Sequence, residues 1–250
     1  MKIFITGGTT GIGFTLAKDY LEEGHTVGIC GRDLSKLPIE YQNHVDLKSY
    51  QFSVTDKNAF RVALDNFALY KEKGLDIMIA NAGISLGRKN RIPNFEKNRQ
   101  ILETNIWGTH FAFELALSYF LPAKSGQLVA ISSVAGEVGL PGAGAYSASK
   151  ACITKMCESL SIDLAAENIS VTCIAPGFID TPLTKTNDHS MPFIMSSKKA
   201  SQLIRQAIAK KKVWVVFPCR MILLITLLKI MPRKLYHYIM KLPFLNYSRG

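Results

Sequence analysis

Lys2-Ile3-Phe4-Ile5-Thr6 runs without a break into Gly7-Gly8-Thr9-Thr10-Gly11-Ile12-Gly13, and a helical pattern follows. The first five residues form a short apolar run, the kind of strand that is covered on both faces in a parallel sheet. Glycines after such a strand permit a tight turn and let the backbone approach a bound group closely. The helix start then offers free N–H groups and the positive end of a dipole. Three readings compete for this stretch. It is a turn with no ligand, a P-loop, or a dinucleotide loop. Gly8 and Gly13 have the GxxxxG spacing of a P-loop and Thr15 could supply its hydroxyl, but Phe14 stands where the Lys is required. Nothing would then reach a β- or γ-phosphate. The GxxxGxG spacing from Gly7 fits the third reading and is more restrictive than GxGxxG.

Working outward, apolar runs alternate with helical patterns. Strands are predicted at 2–6, 26–30, 49–54, 76–80, 127–132, 170–175 and 213–217. Helices are predicted at 11–23, 57–73, 94–120 (one or two), 146–167 and 197–211. This alternation predicts an α/β fold, a single doubly wound parallel sheet with helices on both faces. Residues 1–217 would form that Rossmann-like domain. Residues 218–250 would form a basic, apolar C-terminal extension.

Composition narrows the class. Of 250 residues, 48% are hydrophobic and 20% charged, which excludes a largely disordered chain. Met1 to Ile5 lead straight into a strand pattern, so no secretory leader is expected. Cys30, Cys152, Cys157, Cys173 and Cys219 lack CxxC spacing and read as reduced thiols of a cytoplasmic protein. The five scattered His include no HExxH, so no metal is expected. The net charge of +11 is uneven: residues 189–250 hold twelve Lys and Arg and no Asp or Glu, which leaves residues 1–188 close to neutral. Nucleic acid is not an expected partner, because apolar runs separate the basic residues and the usual binding motifs are missing.

Tyr146 and Lys150 lie four apart at a predicted helix start and therefore share a face. A nearby ammonium favours the phenolate and would lower the tyrosine pKa toward neutrality. By itself YxxxK is also what a solvated helix face shows. Ser147-Ala148-Ser149-Lys150 is an SxxK, but no SDN or KTG accompanies it. Ser133 closes the fifth predicted strand, at the sheet edge where open α/β proteins bind ligands.

Together these residues resemble the short-chain dehydrogenases/reductases over roughly residues 1–217. The matching motifs are Thr6-Gly7 with Gly11-Ile12-Gly13, Asn81-Ala82-Gly83, Asn105 in Asn105-Ile106-Trp107-Gly108, Ser133, Tyr146 with Lys150, and Pro176-Gly177 followed by Thr181. The resemblance implies hydride transfer between a nicotinamide cofactor and a carbonyl or alcohol. Tyr146 would exchange a proton with the substrate oxygen and Ser133 would hydrogen-bond it. Lys150 would lower the Tyr146 pKa and bind the nicotinamide ribose. Asn105 would hold a water linking Lys150 to solvent, a role compatible with a structural Asn in a helical kink. Gly7, Thr9, Gly11, Ile12 and Gly13 would cradle the pyrophosphate. Asn81, Ala82 and Gly83 would pass close to the adenosine ribose. Pro176, Gly177, Ile179 and Thr181 would hold the carboxamide. Ser53, beside Val54, stands where similar proteins usually carry Asp against adenine. The alternative is a non-catalytic dinucleotide-sensing or scaffold protein on the same fold.

After the second strand, Gly31-Arg32-Asp33 lacks the acid expected at its tip for NAD. Arg32 suits a 2′-phosphate and Asp33 suits a helix cap, so NADP(H) is expected over NAD(H). The resemblance implies a substrate lid at about 182–197, whose residues Leu183, Met191, Phe193, Ile194 and Met195 point to an apolar or lipid-like substrate. Their other reading is burial against the domain itself. The resemblance implies a homodimer through the helices of 94–120 and 146–167, with Ile101, Trp107, Phe111, Phe113 and Leu117 as its apolar surface. The run 221–228 is too short to span a bilayer. With the following Arg, Lys and Tyr it either lies at an anionic membrane surface or packs onto the domain.

Overall fold

Ile3 and Ile5 enter one core and Phe4 enters another, because successive side chains of a strand leave on opposite faces. The structure, a computed structural model, describes residues 1–71, 74–85, 92–186 and 191–242. The chain runs β1 (Lys2–Thr6), α1 (Gly11–Glu22), β2 (Thr26–Gly31), α2 (Ile39–Gln42), β3 (Leu47–Gln51), α3 (Lys57–Leu69), β4 (Ile77–Ala80), α4 (Phe95–Leu102) and α5 (Gly108–Ala123). It continues through β5 (Gly126–Ile131), α6 (Gly144–Asp163), β6 (Ile169–Pro176), β7 (Ile179–Asp180), β8 (Met195–Ser196), α7 (Ser197–Ala209), β9 (Trp214–Phe217), α8 (Cys219–Ile230) and α9 (Arg233–Met240).

Seven strands form one parallel sheet in the order β3-β2-β1-β4-β5-β6-β9. Phe4, Phe60, Phe67, Phe120 and Leu128 build the core between the sheet and α3, α5 and α6. Ile5, Leu16, Ile79, Ile204 and Ile208 build the core under α1 and α7. The strand order reverses between β1 and β4, which opens a crevice at their carboxyl ends. The expected doubly wound sheet is present.

Several boundaries differ from expectation. β3 ends at Gln51, paired with Gly31, so Ser53 and Val54 lie beyond it. The Asp56 N–H closes a turn on the Ser53 carbonyl at 2.8 Å, and the Asp56 carboxylate caps α3 at Ala59 N–H, 3.0 Å. α3 stops at Leu69, where Tyr70 is extended and Lys71 is left-handed (φ 59°); the expected end at residue 73 falls outside the described residues. α5 passes Pro122 to close at left-handed Lys124. α6 starts at Gly144, ahead of Tyr146, and ends at Asp163; only a 3₁₀ turn follows, at Ala165–Glu167.

The expected dimer surface is mostly interior. Ile101 and Phe113 are buried, Phe111 and Leu117 pack partly against the core, and Trp107 alone of the five is exposed. These residues complete the domain's own core, so they supply less spare apolar surface than their pattern suggested. Within the lid, 187–190 lie outside the described residues. Leu183, Phe193 and Ile194 are exposed, whereas Met195 packs partly against the core under α1 and α7, as the second reading of the lid expects. Among the described residues no helix is long and apolar enough to cross a membrane. Likewise, no group of three or more His, Cys, Asp or Glu among them is placed to hold a metal ion.

Candidate active site

The carboxyl ends of β1, β2, β4, β5 and β6 surround one cleft of about 280 Å³. Its floor is the glycine loop. Gly7 and Gly11 have φ of 65° and 58°, the left-handed region that glycine enters without strain. A Cβ on Gly13 would lie 2.3 Å from the Gly7 carbonyl oxygen, so only glycine lets α1 start this close under the loop. Thr6 Oγ1 accepts from the Asn81 and Ala82 N–H groups at 3.0 and 2.9 Å. Asn81 Nδ2 donates back to the Thr6 and Gly7 carbonyls at 2.9 and 3.1 Å. The β1 and β4 exits are therefore clamped together at the switch point.

Gly7, Thr9, Gly11 and Ile12 line the cleft from the first loop, and Arg32, Ser53 and Val54 line its far end. Asn81, Ala82 and Gly83 line its middle, while Pro176, Gly177, Ile179 and Thr181 close it on the β6 side. Ser133, Tyr146 and Lys150 complete the lining. Gly13 and Asn105 are the two expected site residues that sit behind this surface. Lys36 also faces the cleft, with Thr10, Leu183 and Thr184. Sequence patterning misses Lys36 because a 3₁₀ turn at Leu34–Lys36 brings it round beside Arg32.

Asp33 caps that turn. Its Oδ1 accepts from the Ser35 N–H and Oγ at 3.0 and 2.6 Å, and Oδ2 lies 3.6 Å from Lys36 Nζ. The Ser35 hydroxyl, then its N–H, hold the Asp33 carboxyl below its ordinary range. The carboxylate is thus committed locally. Arg32 is exposed and has no ion pair among the described residues. Ser53 Oγ is 2.8 Å from Thr55 Oγ1.

Ser133 ends the β5 exit and caps the turn Val134–Gly136, accepting from Ala135 N–H at 3.1 Å. Tyr146 is half-buried on the first turn of α6. Burial raises its pKa above the ordinary phenol value, and a hydrogen bond with the Ser133 hydroxyl works the other way. Lys150 is 4% exposed, and its Nζ donates to the Ile131 carbonyl at 2.7 Å and stands 5.7 Å from the Tyr146 ring centre. Burial pulls its pKa down to about 8. Burial therefore sets the direction for the Tyr146 phenol here, with the Lys150 charge standing beside its ring. The ammonium is itself desolvated and turned to Ile131, and burial of the phenol dominates.

Asn105 lies behind the cleft wall, next to Gly83. It is 0% exposed, within a π-turn at Glu103–Trp107 between α4 and α5. Its Oδ1 accepts from Ile84 N–H at 2.8 Å, and its Nδ2 donates to the Ile84 carbonyl and Ser149 Oγ at 3.1 and 3.0 Å. Its main-chain carbonyl accepts from Thr109 Oγ1 at 2.9 Å. Both amide hydrogens are occupied, so the side chain holds the segment after Gly83 in place.

A doubly wound sheet with a glycine loop at its switch point, and Ser, Tyr and Lys on the same rim, defines a dinucleotide-dependent oxidoreductase. The sequence matches the short chain dehydrogenase family model over residues 1–192. An uncharacterized oxidoreductase of Myxococcus xanthus (strain DK1622) is 36% identical over 241 residues, covering 93% of each chain. The 3-oxoacyl-(acyl-carrier-protein) reductase of Chlamydia trachomatis is 32% identical over 190 residues, 74% of this chain and 77% of that one. A solved short chain dehydrogenase from Burkholderia cenocepacia J2315, in complex with NADP, superimposes with a TM-score of 0.81 at 22% identity, over 97% of this chain and 98% of that one. The chain belongs to the short-chain dehydrogenase family, whose members are oxidoreductases that use nicotinamide cofactors.

Proposed function

We propose that this protein is an NADP(H)-dependent carbonyl reductase or alcohol dehydrogenase acting on an apolar substrate. The observation that carries the reading is the convergence of Ser133, Tyr146 and Lys150 with the glycine loop on one cleft. The residues fit a dinucleotide: two left-handed glycines and a Cβ-free approach at Gly13 leave backbone N–H groups for a pyrophosphate. When bound, the nicotinamide supplies or takes the hydride. Tyr146 gives its proton to the carbonyl oxygen in reduction, or accepts one from the alcohol in reverse. Ser133 hydrogen-bonds the same oxygen as charge develops on it. Lys150 holds a buried positive charge beside the phenol and would bind the nicotinamide ribose hydroxyls. Asn105 is a positioning residue that fixes Ile84 behind Gly83. Pro176, Gly177, Ile179 and Thr181 hold the carboxamide side, and Ser53 and Val54 the adenine side.

Arg32 supports the NADP(H) preference, with Lys36 beside it and Asp33 drawn into its own cap. The exposed lid residues Leu183, Phe193 and Ile194 support an apolar substrate. The proposed organisation is a catalytic domain at 1–217 and an extension at 218–250, in a homodimer through the helices of 94–120 and 146–167. A monomeric mass by light scattering would refute the dimer. The proposed location is the cytoplasm, in keeping with buried thiols at Cys30, Cys157 and Cys173.

The test is NADPH oxidation with a panel of ketones, aldehydes and 3-oxoacyl compounds, in wild type and Tyr146→Phe. The variant is expected to bind NADPH and lose most turnover. Equal kcat in both proteins refutes the assignment. NADPH binding with no turnover anywhere on the panel would favour a dinucleotide sensor.

A further inference from the structure

Helix α8 reads Cys-Arg-Met-Ile-Leu-Leu-Ile-Thr-Leu-Leu-Lys-Ile and is apolar nearly all round. Such a helix is normally covered on every side. Here only one stripe is covered: Met221 and Ile225 pack with Val134, and Leu228 joins them. Leu223, Leu227 and Ile230, at i, i+4 and i+7, are 66%, 50% and 71% exposed. Ile222 and Leu224 beside them are exposed as well, as are Leu235 and Tyr238 on α9. Single exposed apolar residues need no explanation, but a continuous helical stripe does.

Charge says what covers it. Arg220, Lys229, Arg233, Lys234 and Lys241 are the ionised side chains of 218–242, and no Asp or Glu follows Asp188. Lys229 is paired, with Glu137 at 2.7 Å. Arg233, Lys234 and Lys241 have no ion pair among the described residues. A two-fold pairing of this face with a second copy would bring Arg233, Lys234 and Lys241 onto their own copies, with no carboxylate on the extension to separate them. An anionic surface with an apolar interior satisfies both halves of the pattern at once.

The patch also adjoins the cleft mouth. Arg220 stands 5.7 Å from the ring centre of Phe193 in the lid. Tyr236 donates to the Gly139 carbonyl at 2.7 Å, and a Cβ on Gly177 would lie 3.1 Å from Met221 Cγ. The extension is therefore anchored on the Ser133–Tyr146 connection and on the β6 exit, with its uncovered side outward.

We propose that α8 and α9 form a docking surface for an anionic lipid bilayer, with Leu223, Leu227 and Ile230 entering the interface and Arg233, Lys234 and Lys241 meeting lipid headgroups. This goes beyond the reaction proposed above, and its test needs no turnover. Full-length protein is co-sedimented with vesicles of phosphatidylcholine alone, or of phosphatidylcholine with phosphatidylglycerol, at low and high salt. Binding is expected on the phosphatidylglycerol vesicles, and it should weaken as salt rises. The pair Arg233→Gln and Lys234→Gln is expected to bind about thirtyfold more weakly, from about 1 kcal/mol for each basic residue at the surface. Leu223→Gln with Leu227→Gln is expected to weaken binding even at low salt, while thermal melting and NADPH affinity stay at wild-type values. Failure of the wild type to sediment with the anionic vesicles overturns the proposal. So does equal sedimentation of wild type and both double variants. A fall in particle mass for the Leu variant by light scattering, without vesicle binding by the wild type, would instead assign the face to a second copy.

Discussion

Replacing Lys150 with Met isolates the cost of keeping an ammonium in the candidate site. The Nζ is buried and donates one hydrogen bond, to the Ile131 carbonyl at 2.7 Å. Its pKa falls from 10.5 to about 8 because burial disfavours the charged form. That difference corresponds to about 3 kcal/mol at most, at roughly 1.4 kcal/mol per pKa unit. The sign follows from proton counting. Between the folded and unfolded pKa values the unfolded chain holds more protons, so stability rises with pH through that window. Near neutral pH the wild type carries the whole penalty, and above the unfolded pKa it carries none. The Met variant does not titrate there. It loses the bond to Ile131, which leaves a buried carbonyl unpaired at a cost of about 1–3 kcal/mol. Met has a similar length and fills the space. The expected result in the cofactor-free protein is a wild-type-minus-variant stability difference that shifts by about 2–3 kcal/mol toward the wild type between about pH 7 and pH 10. Groups that do not interact with Lys150 cancel, because both proteins share them; the Cys173 thiol, whose charge interacts with Lys150, is the exception. Urea unfolding at the two pH values measures it. An unchanged difference would show that Lys150 is not a desolvated cation.

Two further substitutions separate roles that geometry brings close together. Arg32→Ala is expected to weaken NADPH by about 10- to 100-fold through lost charge-assisted hydrogen bonds and to leave NADH nearly unchanged; equal losses in a binding titration would move the preference to Lys36 or Asp33. Asn105→Ala is expected to lower stability by about 1–3 kcal/mol, because the Ile84 N–H and carbonyl lose their partners. A relay residue would behave differently, with unaltered urea midpoints and a displaced pH profile of kcat.

Those two residues also show where sequence stops being informative. β1 was legible because a strand covered on both faces is apolar at every position, and the glycine loop because its backbone demands are local. Tyr146 and Lys150 were legible as neighbours because helical spacing alone puts i and i+4 on one face. What escaped depends on contacts between distant segments. The register of β3 is set by β2, and a turn from Ser53 to Asp56 then carries Ser53 and Val54 off the strand. Lys36 joins Arg32 only after Asp33 closes a turn over Ser35. The pKa of Tyr146 is a balance of burial by several elements against one hydroxyl, and no motif encodes that balance. Asn105 is the clearest case. The motif marks it as part of the site, but its partners are Ile84 and Ser149, 21 and 44 residues away. Folding turns that side chain inward, so it serves the cleft by fixing the backbone behind Gly83. A motif can thus identify a residue that the site requires without indicating whether the side chain faces the ligand.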